Sequence, residues 1–279
     1  IPVRREGGTL AMISVMYGCN NYCSYCIVPY VRGRERSRLP KDILEEIKQV
    51  ASEGYKEVLL LGQNVNSYGL DLDLGIDFSD LVRMVNNIEG IERIRFMTSH
   101  PKDFGDKLIK TMSECEKVCN QLHLPIQSGS NRVLSDMNRK YTRESYLENI
   151  KKVRELMPGI SISTDIIVGY PTETNEDFLE TLDLLEKVRF DTKFSFIYSK
   201  RGGTPAAKLD SVLSDEEIHR NCERMLAVQN QISKSINDAY VGSIHKVLVE
   251  GKSKNDPEFL TGRTDTGKIV NFKGELELV

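Results

Sequence analysis

The sequence predicts an α/β protein: an incomplete barrel of six strand–helix units followed by a small, truncated β-barrel domain. Two observations support this fold class. From residue 9 onward, apolar runs suited to buried parallel strands alternate with stretches of helical period. Near residue 238 this alternation gives way to short strand patterns separated by Gly, Asn and Asp turns. We therefore place a large domain at 5–235 and a small, partial one at 238–279.

The candidate strands of the large domain are apolar over several consecutive positions, as expected when both faces of a parallel sheet are covered. Six units rather than eight would leave the barrel open at one side. In chain order the predicted strands are 9–18, 57–64, 93–101, 121–129, 161–171 and 191–200.

Helical stretches fill the intervals between the strands. In 41–54, Ile43, Ile47 and Val50 recur on one face, and a glycine closes the stretch. Similar stripes predict further helices, and a long helix is predicted over 215–237. The later stripes are Leu81, Val82, Val85 and Ile88; Leu147, Ile150, Val153 and Met157; Phe178, Leu179, Leu182 and Leu185.

Composition narrows the class of protein. The 279 residues carry a net charge of −3, so no overall basic field indicates a nucleic-acid binder. We find no apolar run of membrane-spanning length and no signal peptide, and we expect a cytoplasmic monomer with no membrane partner. The first residue is Ile, so we expect a piece of a longer protein.

Three of the six cysteines, Cys19, Cys23 and Cys26, form a C-x-x-x-C-x-x-C pattern directly after the first predicted strand. Active sites of parallel barrels lie at this edge of the sheet. A structural zinc ion would need a fourth ligand from a second Cys or His pair, and no such pair follows. An iron–sulfur cluster held by three thiolates would leave one iron open for another molecule. The spacing favours the cluster, and a zinc-stabilised RNA-binding module remains the alternative from another class.

The pattern C-x-x-x-C-x-aromatic-C, with Tyr25 before the third cysteine, resembles the signature of the radical S-adenosylmethionine (SAM) enzymes. Further stretches resemble the methylthiotransferases, most closely the tRNA-2-methylthio-N(6)-dimethylallyladenosine synthase (MiaB) family. The tail resembles the start of a TRAM domain, a small RNA-binding β module. The stretches concerned are LLGQNVNSY, TSHP, LHLPIQSGS, DIIVGYPTET and FSFIYSKRGGTPAA.

The resemblance implies a cofactor set and a reaction. The three cysteines would hold a 4Fe–4S cluster whose open iron binds SAM, and reductive cleavage of SAM would give a 5′-deoxyadenosyl radical. This radical would take hydrogen from the adenine ring carbon that receives sulfur. The family's sulfur comes from a second 4Fe–4S cluster in an N-terminal domain, which we expect to be missing from this sequence.

The implied partners are a tRNA carrying isopentenyl-adenosine beside the anticodon and an electron donor such as flavodoxin or ferredoxin. Close alternatives are methylthiotransferases for threonylcarbamoyl-adenosine in tRNA or for a ribosomal protein.

The resemblance also assigns SAM-binding positions at the ends of strands. A turn after a buried strand is the plainer explanation for the GQN stretch. Asp165 interrupts an apolar run, so its carboxylate needs a partner. The predicted SAM-binding residues are Tyr25, Gly62, Gln63, Asn64, Arg139, Thr164, Asp165 and Gly169.

The fourth strand and its exit supply candidates near the substrate, namely His123, Gln127 and Ser128. For His123, a core histidine satisfied by a backbone group is an equally good explanation, and the same holds for His100.

Arg32, Arg34, Arg36 and Arg38 follow the cysteines and are predicted to contact tRNA phosphates, although a solvated charge run is the plainer explanation. The tail from 241 to 279 carries six basic and six acidic residues, so it is not a basic surface.

The other three cysteines lie on apolar helical stripes, and we expect them in the core: Cys115, Cys119 and Cys222.

Overall fold

The computed structural model describes residues 5, 7–97, 99–254, 256 and 258–278. Thr98, which belongs to the third predicted strand, lies outside this part. The strands are β1 Leu10–Ser14, β2 Met16–Tyr17, β3 Arg36–Ser37, β4 Glu57–Leu61, β5 Arg93–Phe96, β6 Gln121–His123, β7 Ser161–Val168, β8 Thr192–Ile197, β9 Val247–Lys252, β10 Phe259–Thr264 and β11 Ile269–Lys273. The helices are α1 Val28–Arg32, α2 Pro40–Ser52, α3 Phe78–Asn86, α4 Asp106–Glu114, α5 Asn131–Asp136, α6 Arg143–Leu156, α7 Asn175–Val188 and α8 Asp215–Asp238.

The large domain is a parallel barrel that is open on one side. Strands pair in parallel in the orders β1-β4-β5 and β6-β7-β8. A parallel bridge between Ile94 and Val118 joins the two halves, with Cys119 donating its backbone N–H to the Ile94 carbonyl at 3.0 Å. No pairing connects β1 with β8 in the described residues, which confirms the predicted incomplete six-stranded barrel.

Helices cover the outside of the barrel because their apolar stripes face the sheet. Ile43, Ile47 and Val50 of α2 are fully buried in the core, as the periodicity predicts. Leu179 of α7 is an exception, since it belongs to a predicted stripe but is exposed. Capping boxes fix where α3, α6, α7 and α8 begin, with Asp, Thr or Ser side chains accepting from the first turn. No helix in the described part is long and apolar enough to cross a membrane.

Two details of the predicted elements are wrong. The first predicted strand, 9–18, is divided: β1 ends at Ser14, and β2 turns away to pair antiparallel with β3. The helical stripe through Cys115 and Cys119 is also broken, because α4 ends at Glu114 and the chain then extends to pair with β5. Both thiols are nevertheless buried, as expected.

The small β domain (residues 238–278) contains the antiparallel sheet β9-β10-β11 and covers the end of the barrel where the strands begin. Arg95 donates to the carbonyls of Thr264 and Asp265, both at 2.8 Å, and Arg93 donates to the Arg263 carbonyl at 2.6 Å. The buried carboxylate of Glu57 accepts from Arg95 Nε at 2.9 Å and balances its charge. The opposite end of the barrel, where the strands terminate, is therefore left for the functional site.

Candidate active site

The loop that carries the three cysteines is closed at its base by β2 and β3. Cys19 donates its backbone N–H to the Gly33 carbonyl at 3.2 Å. Gly18 has a φ of 77°, and a Cβ at this position would lie 2.0 Å from the Arg34 carbonyl oxygen. Only glycine allows the two arms of the loop to approach this closely.

All three thiols line a single cavity of about 310 Å³, which we call the cluster cavity. Its walls come from the loop and from the carboxyl ends of the strands, as expected for the active edge of a parallel barrel. The other lining residues are Asn21, Tyr25, Val28, Gly62, Gln63, Ser99, His100, Pro125, Gln127, Arg139 and Asp165.

Two donors contact the sulfur atoms. The side-chain amide of Asn21 donates to Cys19 Sγ at 3.6 Å, and Arg139 Nη1 donates to Cys23 Sγ at 3.3 Å. Hydrogen-bond donors of this kind support a sulfur atom that binds iron. Burial raises the pKa of the Cys19 and Cys26 thiols.

The donor set fits an iron–sulfur cluster better than a single metal ion. No three His, Cys, Asp or Glu side chains in the described part are grouped closely enough to hold one ion. In a cluster each thiolate binds a different iron, so the three sulfurs line a wider cavity instead of meeting at one point. Three thiolates with neutralising donors beside them match this requirement.

Arg139 forms the buried back wall of the cluster cavity. Besides Cys23, its guanidinium contacts the Pro125 carbonyl at 3.0 Å and the Tyr141 hydroxyl at 2.7 Å. Burial raises the pKa of Tyr141 to about 12 and that of Tyr25 well above its ordinary value, so both hydroxyls are neutral. The wall therefore presents one fixed positive charge to the cavity.

Of the SAM-binding residues predicted from the sequence, Tyr25, Gly62, Gln63, Arg139 and Asp165 all reach the cluster cavity. The side-chain oxygen of Gln63 accepts from the backbone N–H of Gly18 at 2.6 Å, which ties the end of β4 to the cysteine loop.

The other three predicted SAM-binding residues lie behind the cavity walls. The Asn64 side chain is buried and donates to Asp103 at 2.8 Å. Thr164 Oγ1 accepts from the Ile126 N–H at 2.9 Å and so holds the chain beyond β6 against β7. Gly169 has a φ of 70°, and a Cβ there would lie 2.7 Å from Ile218 of α8.

Of the residues predicted near the substrate, one lines the cluster cavity and two do not. Gln127 lines the cluster cavity, whereas the fully buried Ser128 accepts from the Ser130 N–H at 3.2 Å and does not reach it. His123 is buried in the barrel, with Nδ1 3.0 Å from Ser163 Oγ and Nε2 3.5 Å from the Asp165 carboxylate. His123 therefore supports Asp165, which does line the cavity.

The four arginines after the cysteines are not equivalent. Arg38 is partly buried, donates to the Ser14 carbonyl at 2.7 Å and pairs with Glu46 at 2.7 Å. The other three, Arg32, Arg34 and Arg36, are exposed.

Sequence reasoning missed Ser99 and Tyr198, and it left His100 open between a site residue and a core histidine. Ser99 Oγ and His100 Nε2 are buried at the cluster cavity, and Tyr198 Oη is buried at a second cavity, without a hydrogen-bond partner in the described residues. Burial lowers the pKa of His100 to about 2, so its ring is neutral. Their positions in the sequence could have indicated a place at the site, because these residues follow strands β5 and β8 closely.

The second cavity, of about 330 Å³, shares Tyr25, Gln127 and Asp165 with the cluster cavity, so the two adjoin. Its outer wall comes from β8 and the residues after it, including Phe196 and Arg201.

Comparison with known proteins gives matches to two family models. The model of the Radical SAM superfamily matches residues 13–185, and that of the TRAM domain matches residues 238–278. The whole chain is 56% identical to a tRNA-2-methylthio-N(6)-dimethylallyladenosine synthase of Acetivibrio thermocellus and 57% identical to one of Clostridium novyi. It spans 58% and 62% of the length of these two relatives.

Solved structures resemble the fold at low sequence identity. A radical S-adenosylmethionine methyltransferase from Kitasatospora setae superposes with a TM-score of 0.60 at 18% identity, over 72% of this chain and 39% of that one. Methylornithine synthase gives 0.53 at 19% identity, over 79% of this chain and 62% of that one.

An open parallel barrel with three thiols in a cavity at its carboxyl edge defines an iron–sulfur barrel enzyme. The chain belongs to the Radical SAM superfamily, with a TRAM domain at its end. This membership confirms the predicted cofactor class, a 4Fe–4S cluster with SAM, and the zinc alternative is set aside.

Proposed function

We propose that the protein is a tRNA methylthiotransferase that adds a methylthio group to the adenine ring of dimethylallyl-adenosine beside the anticodon. Identity of 54–57% along the whole chain to synthases of that name supports this substrate over threonylcarbamoyl-adenosine or a ribosomal protein. The observation that carries the proposal is the cluster cavity, where three thiols face the strand ends together with Arg139 and Asp165.

In this proposal Cys19, Cys23 and Cys26 hold the 4Fe–4S cluster. When reduced by one electron and with SAM bound, such a cluster would supply the radical chemistry needed at an unactivated ring carbon. The residues of this chain bind, orient and exclude water. Arg139 offsets negative charge at the thiolates and Asn21 donates a hydrogen bond to Cys19. Gly62, Gln63 and Asp165 offer backbone and side-chain acceptors to the polar groups of SAM.

The sulfur source lies outside the cluster cavity. Of the remaining cysteines, Cys115 and Cys119 are buried, and Cys222 lies far along the chain on α8. Burial raises the pKa of Cys119 to about 11. We infer that the sulfur comes from a second 4Fe–4S cluster bound outside residues 1–279, because the relatives extend well beyond the segment that this chain matches.

The partners follow from the same proposal. Arg32, Arg34 and Arg36 are exposed beside the cluster loop and contact tRNA phosphates, whereas the ion pair of Arg38 with Glu46 limits its contribution. An acidic one-electron carrier such as flavodoxin or ferredoxin reduces the cluster. We expect the protein to act as a cytoplasmic monomer.

Mass spectrometry of tRNA nucleosides from cells lacking the protein tests this function. Dimethylallyl-adenosine should accumulate and its 2-methylthio derivative should disappear. Supplied together with the segment that binds the second cluster, wild-type protein and Cys222→Ala should restore the derivative, whereas Cys23→Ala should not. Unchanged tRNA in the deletion strain would contradict the proposed substrate, and restoration by Cys23→Ala would contradict the cluster assignment.

A further inference from the structure

Large aromatic side chains lie exposed on the inner face of β8. Strand β8 pairs in register with β7, with Phe194 beside Asp165 and Phe196 beside Ile167. Registered residues of parallel strands point to the same face, so both phenylalanines share the face of Asp165, which lines the cavities. Phe194 is 47% exposed and Phe196 is 54% exposed. The ring of Phe194 meets His123 edge-on, with 6.1 Å between centroids.

The other edge of the barrel shows the same pattern. In β1, Ala11 and Ile13 are buried under the helices, whereas Leu10 and Met12 alternate with them and are exposed. Since β1 and β8 do not pair with each other in the described residues, these side chains flank the open side of the barrel. Both edges of the opening are therefore apolar.

The strands next to this apolar edge carry polar groups on the same face. Asp165 is held by His123 at 3.5 Å, and Gln127 lies beside it at both cavities. The cluster cavity and the second cavity adjoin, and we call the combined space the chamber. A ligand that matches the chamber has a polar ring with hydrogen-bonding edges on one side and a compact apolar substituent on the other.

We propose that Phe194 and Phe196, with Met12 across the opening, form the pocket for the branched apolar group on the exocyclic nitrogen of the target adenosine. The inference rests on the proposed function and makes these residues its specificity determinants. The polar groups of Asp165 and Gln127 then face the adenine ring, and the base reaches the chamber by leaving its stack in the anticodon loop. A threonylcarbamoyl group would instead place a carboxylate against the apolar side chains of Phe194 and Met12, at a desolvation cost that the branched apolar group does not have.

Binding of anticodon stem-loop RNAs to the full chain, followed by fluorescence anisotropy, tests this proposal. Three RNAs differ only at the target adenosine, which is unmodified, dimethylallylated or threonylcarbamoylated. We expect the wild type to prefer the dimethylallylated RNA. Phe194→Ser and Met12→Ser should each lower that preference by about 10-fold or more, because the apolar group loses its contact surface. The affinity of each variant for unmodified RNA is its own reference.

Leu226→Ser is the matched control, since Leu226 is 45% exposed on α8, outside the barrel, and its replacement should leave the preference intact. Circular dichroism establishes that each variant is folded. If folded Phe194→Ser and Met12→Ser kept the full preference for the dimethylallylated RNA, this inference alone would be overturned. Equal loss of affinity for all three RNAs would also overturn it, because the side chains would then contact the RNA without regard to the modification. A wild type that binds none of the RNAs, or prefers the threonylcarbamoylated one, would overturn the proposed function together with the inference.

Discussion

Six cysteines of identical chemistry have different surroundings in this protein. Cys19, Cys23 and Cys26 share one cavity with Arg139, whereas Cys115 and Cys119 are buried away from this cavity and Cys222 is partly buried on α8. Proximity to a cation lowers the energy of a thiolate, and an apolar environment raises it. The first set is thus suited to binding iron and the second to packing.

Replacing any one of Cys19, Cys23 and Cys26 by Ala should abolish iron binding, because two thiolates cannot hold a cluster that needs three. Replacing Cys115, Cys119 and Cys222 together by Ala should leave the iron content near that of the parent. Iron analysis and visible absorbance after anaerobic reconstitution measure both. A cluster that survives Cys23→Ala but is lost from the triple variant would contradict the assignment.

Glu173 is a buried carboxyl group behind the active site. It accepts the backbone N–H of Gly169 at 2.6 Å and is 1% exposed. Burial raises its pKa from 4.5 to about 7, so the folded protein retains this proton where the unfolded chain has lost it.

The free energy of unfolding should therefore fall as the pH rises from about 4.5 to 7, by at most about 3 kcal/mol from this group. Glu173→Gln keeps an acceptor for Gly169 and removes the titration. Relative to the wild type it should be more stable at pH 8 than at pH 5, as measured by urea unfolding at both values. The exposed Glu176→Gln serves as control, and parallel pH profiles of wild type and Glu173→Gln would refute the prediction.

At the scale of elements, hydrophobic periodicity predicted all six barrel strands and most helices, because burial of one helix face and both sheet faces leaves a direct mark on the sequence. It missed the division of the first strand, since Met16 and Tyr17 continue the apolar run but pair with Arg36 and Ser37. Antiparallel pairing of two residues across an 18-residue loop leaves no periodic signal. That short pairing is nevertheless what closes the cysteine loop.

Gly18→Ala should disrupt the loop, because the added Cβ would lie 2.0 Å from the Arg34 carbonyl oxygen and φ is 77°. Cluster loading should fall strongly, while urea unfolding of the barrel changes by about 1–3 kcal/mol. Gly33→Ala is a matched control with a φ of 76° and no atom within 4 Å of the added Cβ. It should retain most of the iron, and equal loss in both variants would mean that backbone strain, not the steric contact, controls the loop.

At the scale of the whole molecule, the active edge of the barrel was predictable because the cysteines follow a strand, but the contact of the two domains was not. Arg93 and Arg95 alternate with apolar residues in β5 and give no indication of a partner about 170 residues later. Their contacts to backbone carbonyls depend on how the small β domain is placed, which is a tertiary property. The same holds for Ser99, His100 and Tyr198, whose role depends on which strand ends meet.

Arg95→Ala should weaken the union of the barrel with the small β domain. It would leave the Glu57 carboxylate, which is 5% exposed, with only Arg93 at 3.9 Å, and it would remove donors from two carbonyls. Removing one partner of a buried pair costs about 3–5 kcal/mol. Urea unfolding should show this loss, and limited trypsin digestion should cleave faster after Lys246, at the end of the connection 239–246.

The control for this variant is Arg83→Ala, which breaks an ion pair with Glu114 that is 42–43% exposed on both sides. It should change the free energy of unfolding little, because solvent screens such exposed pairs. If Arg95→Ala were no more costly than Arg83→Ala, the buried arginine would not hold the domains together. If it lowered stability without faster cleavage at 239–246, its contribution would lie within the barrel alone.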